Sequence, residues 1–270
     1  MQLRILHRTA YRYEEPVKYT AQALRLTPRR EGQQRVLSWA IHAPGRRIEQ
    51  VDAHGNVTHL LTLESPHKEI EIVVSGSVEV ASEGSLMPHE GPLSPLAYLA
   101  STPLTAPDSA IGVLSRQYLV GSAPVRDRLW ALAGGVLERV KYQKGSTNVE
   151  DTASAALARG KGVCQDQAHV FISACRLAGI PARYVSGYLY DGAGEDGGTA
   201  ASHAWVDAWL GDVKAWIGID VTHREPTGVH HCRLAVGRDY LDAAPVRGVR
   251  RGGGHEKMDV DVTVSKAADQ

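Results

Sequence analysis

The sequence predicts an α+β protein with an N-terminal β-sandwich, a helical lead-in, and a core in which one cysteine-bearing helix packs against an antiparallel sheet. Three observations predict this. Residues 1–85 hold several short strand-like runs separated by turn residues. A single apolar stripe at helical spacing runs through residues 164–178. Two strand-like runs, 203–210 and 213–220, flank Gly211-Asp212 and read as a hairpin.

In the first part the strand signals are Gln2–Tyr13, Gln22–Thr27, Arg35–His42, Arg46–Val51, Val57–Glu64 and Glu69–Val80. Turn clusters such as Ala43-Pro44-Gly45, His54-Gly55-Asn56 and Ser65-Pro66 separate them, the pattern of a small sandwich. Its histidines (His7, His42, His54, His59 and His67) are scattered among strands and turns and read as structural.

Residues 86–160 form a linker and helical lead-in. Pro88, Pro92 and Pro95 mark the linker, and helical patterns follow at Ser109–Leu119, at Val125–Tyr142 after Pro124, and at Thr152–Ala158. Gly134-Gly135 within the second costs about 1 kcal/mol per Gly relative to Ala, which points to close helix packing or a kink.

Residues 161–270 form the core and a C-terminal extension. Cys164, Ala168, Phe171, Cys175 and Ala178 lie on one helical face. Gly179 followed by Ile180-Pro181 is the expected stop. Gly160 and Gly162 imply a tight entry with the backbone close to another group. Cys164 therefore opens a core helix, where unpaired N–H groups and the positive dipole end favour a thiolate. Cys175 and Cys232 read instead as small buried hydrophobes.

With Gly211-Asp212 as a two-residue loop, Leu210 faces Val213 and Val206 faces Ile217, so one face is wholly apolar. The other carries His203, Trp205, Asp207 and Trp209 against Lys214, Trp216, Gly218 and Asp220. In this register His203 lies directly opposite Asp220, with Cβ atoms roughly 4.5–5.5 Å apart. The set has the logic of a Cys-His-Asp triad: Asp220 fixes the tautomer, His203 moves the proton, and the Cys164 thiolate attacks a carbonyl. The Cys164 backbone N–H is the first oxyanion donor, with Tyr142 and Gln165 as candidates for the second. Trp205, Trp209 and Trp216 are candidates for cleft walls or for interdomain core. Ala182–Tyr190 reads as a strand, Asp191–Gly198 as an acidic loop and candidate lid, 225–254 as irregular, and Met258–Ser265 as a closing strand.

Gly-Lys-Gly-Val-Cys-Gln-Asp-Gln-Ala-His (160–169), Gly-Ile-Pro-Ala-Arg-Tyr-Val-Ser-Gly-Tyr (179–188), Ser-His-Ala-Trp-Val (202–206) and Gly-Ile-Asp (218–220) resemble the transglutaminase-like superfamily core. Segments 7–13, 24–29 and 52–56 resemble the N-terminal domain of its bacterial two-domain members, and 233–253 their tail. The resemblance implies a papain-like thiol-enzyme fold with Cys164, His203 and Asp220 matching the triad in order. Two positions depart from the pattern: Gln167 stands where an aromatic is usual, and Val221-Thr222-His223 where Pro-Thr-Asn is usual.

Balanced charge, 30 Lys+Arg against 30 Asp+Glu, gives no footprint for nucleic acid or an anionic membrane. Three cysteines argue for free thiols in a reducing compartment, and no apolar leader or membrane-length run occurs, so a soluble cytoplasmic protein is the expectation. A metal site fits poorly. Cys164 and His169 point about 140° apart on a helix, and His230-His231-Cys232 lacks zinc-ligand spacing. No Gly-x-Ser-x-Gly turn or phosphate-binding loop is present. The expectation is a cofactor-free cysteine amide hydrolase or acyl transferase acting on a peptide or protein amide, hydrolysis being favoured over crosslinking. The alternatives are a protein-glutamine transamidase and a non-catalytic peptide-binding module. Oligomeric state is left open.

Overall fold

The computed structural model describes residues 1–31, 33–81, 86–146, 148–192 and 202–267. In chain order the strands of the first part are β1 (Gln2–Leu24), β2 (Gln34–His42), β3 (Arg46–Val51), β4 (Val57–Leu63), β5 (His67–Val80) and β6 (Leu86–Pro88). Then come α1 (Ser109–Leu119), α2 (Val125–Arg139), β7 (Lys141–Tyr142), α3 (Ala153–Arg159), β8 (Lys161–Gly162) and α4 (Cys164–Leu177). The chain closes with β9 (Ala182–Leu189), β10 (Ser202–Leu210), β11 (Ala215–Asp220), β12 (Glu225–Pro226), β13 (His231–Gly237), α5 (Tyr240–Ala243), β14 (Val246–Gly252) and β15 (Glu256–Lys266). The α+β class is as the sequence predicts.

The N-terminal part is organised by β1, whose register breaks between Arg12 and Val17, around Pro16. Proline offers no N–H to a ladder, so the strand bends there. Before the break β1 pairs with β5 and β15; after it, apart from a last β5 pair at Val17–His67, with β4 and β14. β2 extends the first ladder and β3 the second. Their inward residues, among them Leu3, Ile5, Ile72 and Val264 from one ladder and Leu24, Leu61 and Leu63 from the other, share one buried core. Two strands of this sandwich come from the C-terminal end of the chain. They are joined through Gly252, Gly253 and Gly254, with φ of 87°, 99° and 61°, a left-handed run that β-carbons would oppose.

The second sheet runs β12-β11-β10-β9-β13, with β6 also paired to β11. α4 packs on β9 and β10 and is surrounded by α1, α2 and α3. Ala168, Phe171, Ile172 and Cys175 meet Val206, Ala208, Ile217 and Ile219 in one buried cluster. The helix ends in a Schellman motif: the Ile180 N–H donates to Cys175 O (2.9 Å), the Gly179 N–H to Arg176 O (3.0 Å), and Gly179 has φ 73°. Gly134-Gly135 marks close packing: a Cβ at Gly135 would lie 2.3 Å from the Tyr118 ring.

Two sequence readings are corrected. The stretch 225–254 is not irregular, since it contains β12, β13, α5 and β14. Every residue of β13 is buried, including Arg233, so no alternation betrays the strand. Arg233 is accommodated by ion pairing with Asp207 (2.5 Å). The hairpin register also differs. Leu210 faces Ala215, not Val213, and Val206 faces Ile219. The loop is Gly211–Lys214, with Val213 exposed and Lys214 at φ 52°. The slip is two residues, an even number, so every side chain keeps its face. Segment 193–198 of the candidate lid lies outside the described residues.

The free edge of β13 meets the sandwich through two side-chain amides. Asn56 accepts from the Val236 N–H (2.9 Å) and donates to Val236 O (2.8 Å). Gln34 does the same with Arg233 (2.8 and 2.9 Å). Both mimic a neighbouring strand. Asn56→Ala leaves buried backbone groups unpaired, and chemical denaturation should show a loss of about 2–3 kcal/mol. An unchanged midpoint would show that the amide contributes nothing there.

Candidate active site

Cys164 is the first residue of α4, and the local sequence explains why the helix begins there. Asp166, at the third helical position, accepts from the Val163 N–H at 2.7 Å. This is the back-reaching half of a capping box. Gly162 lets the chain come this close, since a Cβ there would lie 2.6 Å from the Asp166 Cβ. The N–H groups of the first turn have no partner within the helix. Cys164 is partly buried, whereas Cys175 and Cys232 are fully buried and burial pushes both thiols up.

The structure brings Cys164, His203 and Asp220 together. His203 Nε2 donates to Asp220 Oδ2 at 2.7 Å, both residues being buried. The Cys164 thiol is near enough to His203 to help raise its pKa. With Nε2 on the carboxylate, Nδ1 is the nitrogen left for the sulfur. Direct opposition does not produce this contact, because the register slip makes the pair diagonal. The imidazole is long enough to span a diagonal neighbour. Burial opposes the imidazolium, but the bonds to Asp220 and Cys164 outweigh it and raise the His203 pKa to about 10. Burial likewise opposes Asp220 ionisation, yet three imidazole contacts hold its pKa below the ordinary carboxylate value.

The other two imidazoles escaped the sequence reading as partners of Asp220. His223 Nδ1 lies 2.9 Å from Asp220 Oδ2, and its backbone N–H donates to Oδ1 at 3.2 Å. His231 Nε2 lies 3.2 Å from Oδ2. The change from the usual Pro-Thr-Asn was a signal for His223. For His231 no local signal exists, because β13 is separated from β11 by two strands.

Tyr142 is about half exposed; burial, followed by the charge of Cys164, raises its phenol pKa. The Gln165 amide donates to Val149 O at 3.2 Å. Gln167 donates to Val140 O (2.9 Å) and accepts from Thr222 (2.7 Å), tying α4 to the turn after Asp220. The tryptophans divide differently from a cleft wall. Trp205 and Trp216 are fully buried and offer no surface to a substrate. Trp205 packs on His203 and His231, while Trp216 packs on Tyr98, Trp209 and Arg183 beneath the linker. Trp209, partly buried, packs edge-on against Trp216 and His89 at the far end of the hairpin.

His203, Asp220 and His223 bring ligand atoms within 4.8 Å of one another, as do Asp220, Glu225 and His231. The three imidazoles are already hydrogen-bonded to Asp220 Oδ2, bonds that a metal would have to displace. His169 is buried on another side of α4, accepts from the Tyr240 N–H at 3.1 Å, and has its pKa lowered by burial to about 3. Among the described residues no helix is long and apolar enough to cross a membrane.

Residues 3–79 match the bacterial transglutaminase-like N-terminal region, and residues 114–221 match the transglutaminase-like superfamily core. An uncharacterized protein of Mycobacterium leprae is 31% identical over 98% of this chain and 99% of its own length. Another, from Mycobacterium tuberculosis, is 30% identical over 91% of this chain and 86% of its own. Among solved structures, a candidate cysteine protease from Cytophaga hutchinsonii superposes with a TM-score of 0.77 at 21% identity, covering 100% of this chain and 92% of that one. At that identity the likeness is one of fold. With both parts of the chain matched and relatives aligned along nearly all of it, this protein belongs to the transglutaminase-like superfamily, in the form that carries the bacterial N-terminal region.

Proposed function

We propose that the chain is a cysteine-dependent amide hydrolase or acyl transferase acting on peptide or protein amides. The observation that carries the reading is the Asp220–His203 bond of 2.7 Å, with the Cys164 thiol near enough to help raise the His203 pKa. Membership of the superfamily supports it.

In the proposed reaction the Cys164 sulfur bonds to the amide carbon and the carbonyl π electrons move to oxygen. The Cys164 N–H at the helix N-terminus faces that oxyanion, with Tyr142 as the better second donor, because the Gln165 amide is engaged by Val149. Collapse breaks the C–N bond, the His203 proton goes to the leaving nitrogen, and a thioester remains. Water then attacks, His203 takes its proton, and the acid and free thiol are released. An amine in place of water gives transamidation. Hydrolysis is the first reading, and we extend the proposal to a reducing compartment on the strength of three free thiols.

A panel of peptide amides, followed by intact mass, tests this. The expected result is an acyl mass on Cys164 that decays in water and is captured by added hydroxylamine. Capture by a lysine analogue faster than decay would move transamidation to first place. Peptide binding without any adduct or product would favour the binding module.

A further inference from the structure

Asp220 is fully buried, and one of its oxygens, Oδ2, receives three imidazoles. The proposed reaction uses only that of His203. His223 sits in the turn just after Asp220 and is half exposed. His231 comes from elsewhere, at the start of β13, and is buried.

The surroundings of His231 fix its proton. The Gly228 N–H points at Nδ1 at 3.3 Å, so Nδ1 is an acceptor and the ring hydrogen is on Nε2. Nε2 therefore donates to Asp220 Oδ2. The ring is held edge-on against Trp205, with centroids 5.2 Å apart and planes at 81°. The charged and titratable groups acting on it are Asp220, His203 and Glu225; burial dominates and lowers its pKa, which keeps it neutral. A donor held by a backbone N–H on one side and an indole face on the other keeps its ring hydrogen on Nε2, aimed at Asp220.

We propose that His231 is a positioning residue for the triad, holding the Asp220 carboxylate so that His203 presents Nδ1 to Cys164. This rests on the Cys164–His203 reading. Trp205 has its place in the same device, as the wall that sets the plane of His231.

The test uses the full chain and iodoacetamide as the probe, with the Cys164 alkylation rate followed against pH by peptide mass spectrometry. Two variants separate the two bonds of His231. His231→Gln places an amide N–H near the Nε2 position and can keep the bond to Asp220. His231→Asn reaches only the Nδ1 position and can keep the bond to Gly228. We expect His231→Gln to stay within about twofold of wild type, and His231→Asn to slow Cys164 alkylation near neutral pH about fivefold, the worth of one net hydrogen bond. Its pH dependence should move toward that of His203→Ala. Silent Cys175 and Cys232 report that each variant is folded. Equal behaviour of the two variants, or a defect confined to His231→Gln, would overturn the proposal. If instead His203→Ala alkylates like wild type, the Cys164–His203 reading fails first, and the two failures are told apart by that one control.

Discussion

Cys164→Ala is expected to abolish acyl-enzyme formation, lowering turnover by about 10³–10⁶-fold, the range seen when a nucleophile that works within a unit is removed. Stability should barely move, because Cys164 is only partly buried at the edge of the core. Cys175→Ala makes the complementary case. That residue is fully buried inside the α4 core, so truncation should cost stability and leave the chemistry intact. Turnover at the wild-type rate in Cys164→Ala would remove the nucleophile from the account.

Asp220→Ala should produce the second large effect, this time on both folding and reactivity. The residue is fully buried, and its loss leaves His203, His223 and His231 without their shared acceptor. Breaking a buried pair in this way costs about 3–5 kcal/mol. The pH window follows from the two shifts. His203 has a raised pKa, so its contribution is complete below the ordinary value of 6.5 and is lost as pH rises through about 10. Asp220 has a lowered pKa, so its contribution is present above the ordinary value of 3.8 and is lost as pH falls below it. Urea melts of wild type and variant should therefore differ most between these limits and converge beyond either. His203→Ala should be far milder in stability, because His223 and His231 still satisfy the carboxylate. A gap between wild type and Asp220→Ala that is flat with pH would contradict the charge argument.

What was legible in the sequence was whatever local chemistry dictates. The α4 stripe, its Gly179 stop, the close approach at Gly162 and the helical lead-in are each set by neighbouring residues, and each reads directly. The His203–Asp220 contact was legible for a partly wrong reason. The loop takes in Val213 and Lys214, which shifts the register by two, and parity preserved the face while the imidazole bridged the diagonal. Illegible were features that depend on distant strands. β13 hides because burial on all sides erases its alternation and because Arg233 finds Asp207 only in the fold. β14 and β15 complete a sandwich begun more than 200 residues earlier, which no local pattern encodes. The tryptophans were placed on the right face, but that face is covered by the linker and the sandwich rather than by substrate. The same distance effect hid His231.

The most direct measurement is the pH dependence of Cys164 alkylation by iodoacetamide in wild type and in His203→Ala. The imidazolium of His203 beside the sulfur, stable to about pH 10, predicts fast alkylation of Cys164 well into the acid side of neutrality in wild type. In His203→Ala the rate should fall to that of an ordinary thiol, whose pKa is about 8.5. The two curves should meet above about pH 10, where His203 is neutral. Superimposable curves across the whole range would contradict the ion pair, and the peptide-binding reading would then take first place.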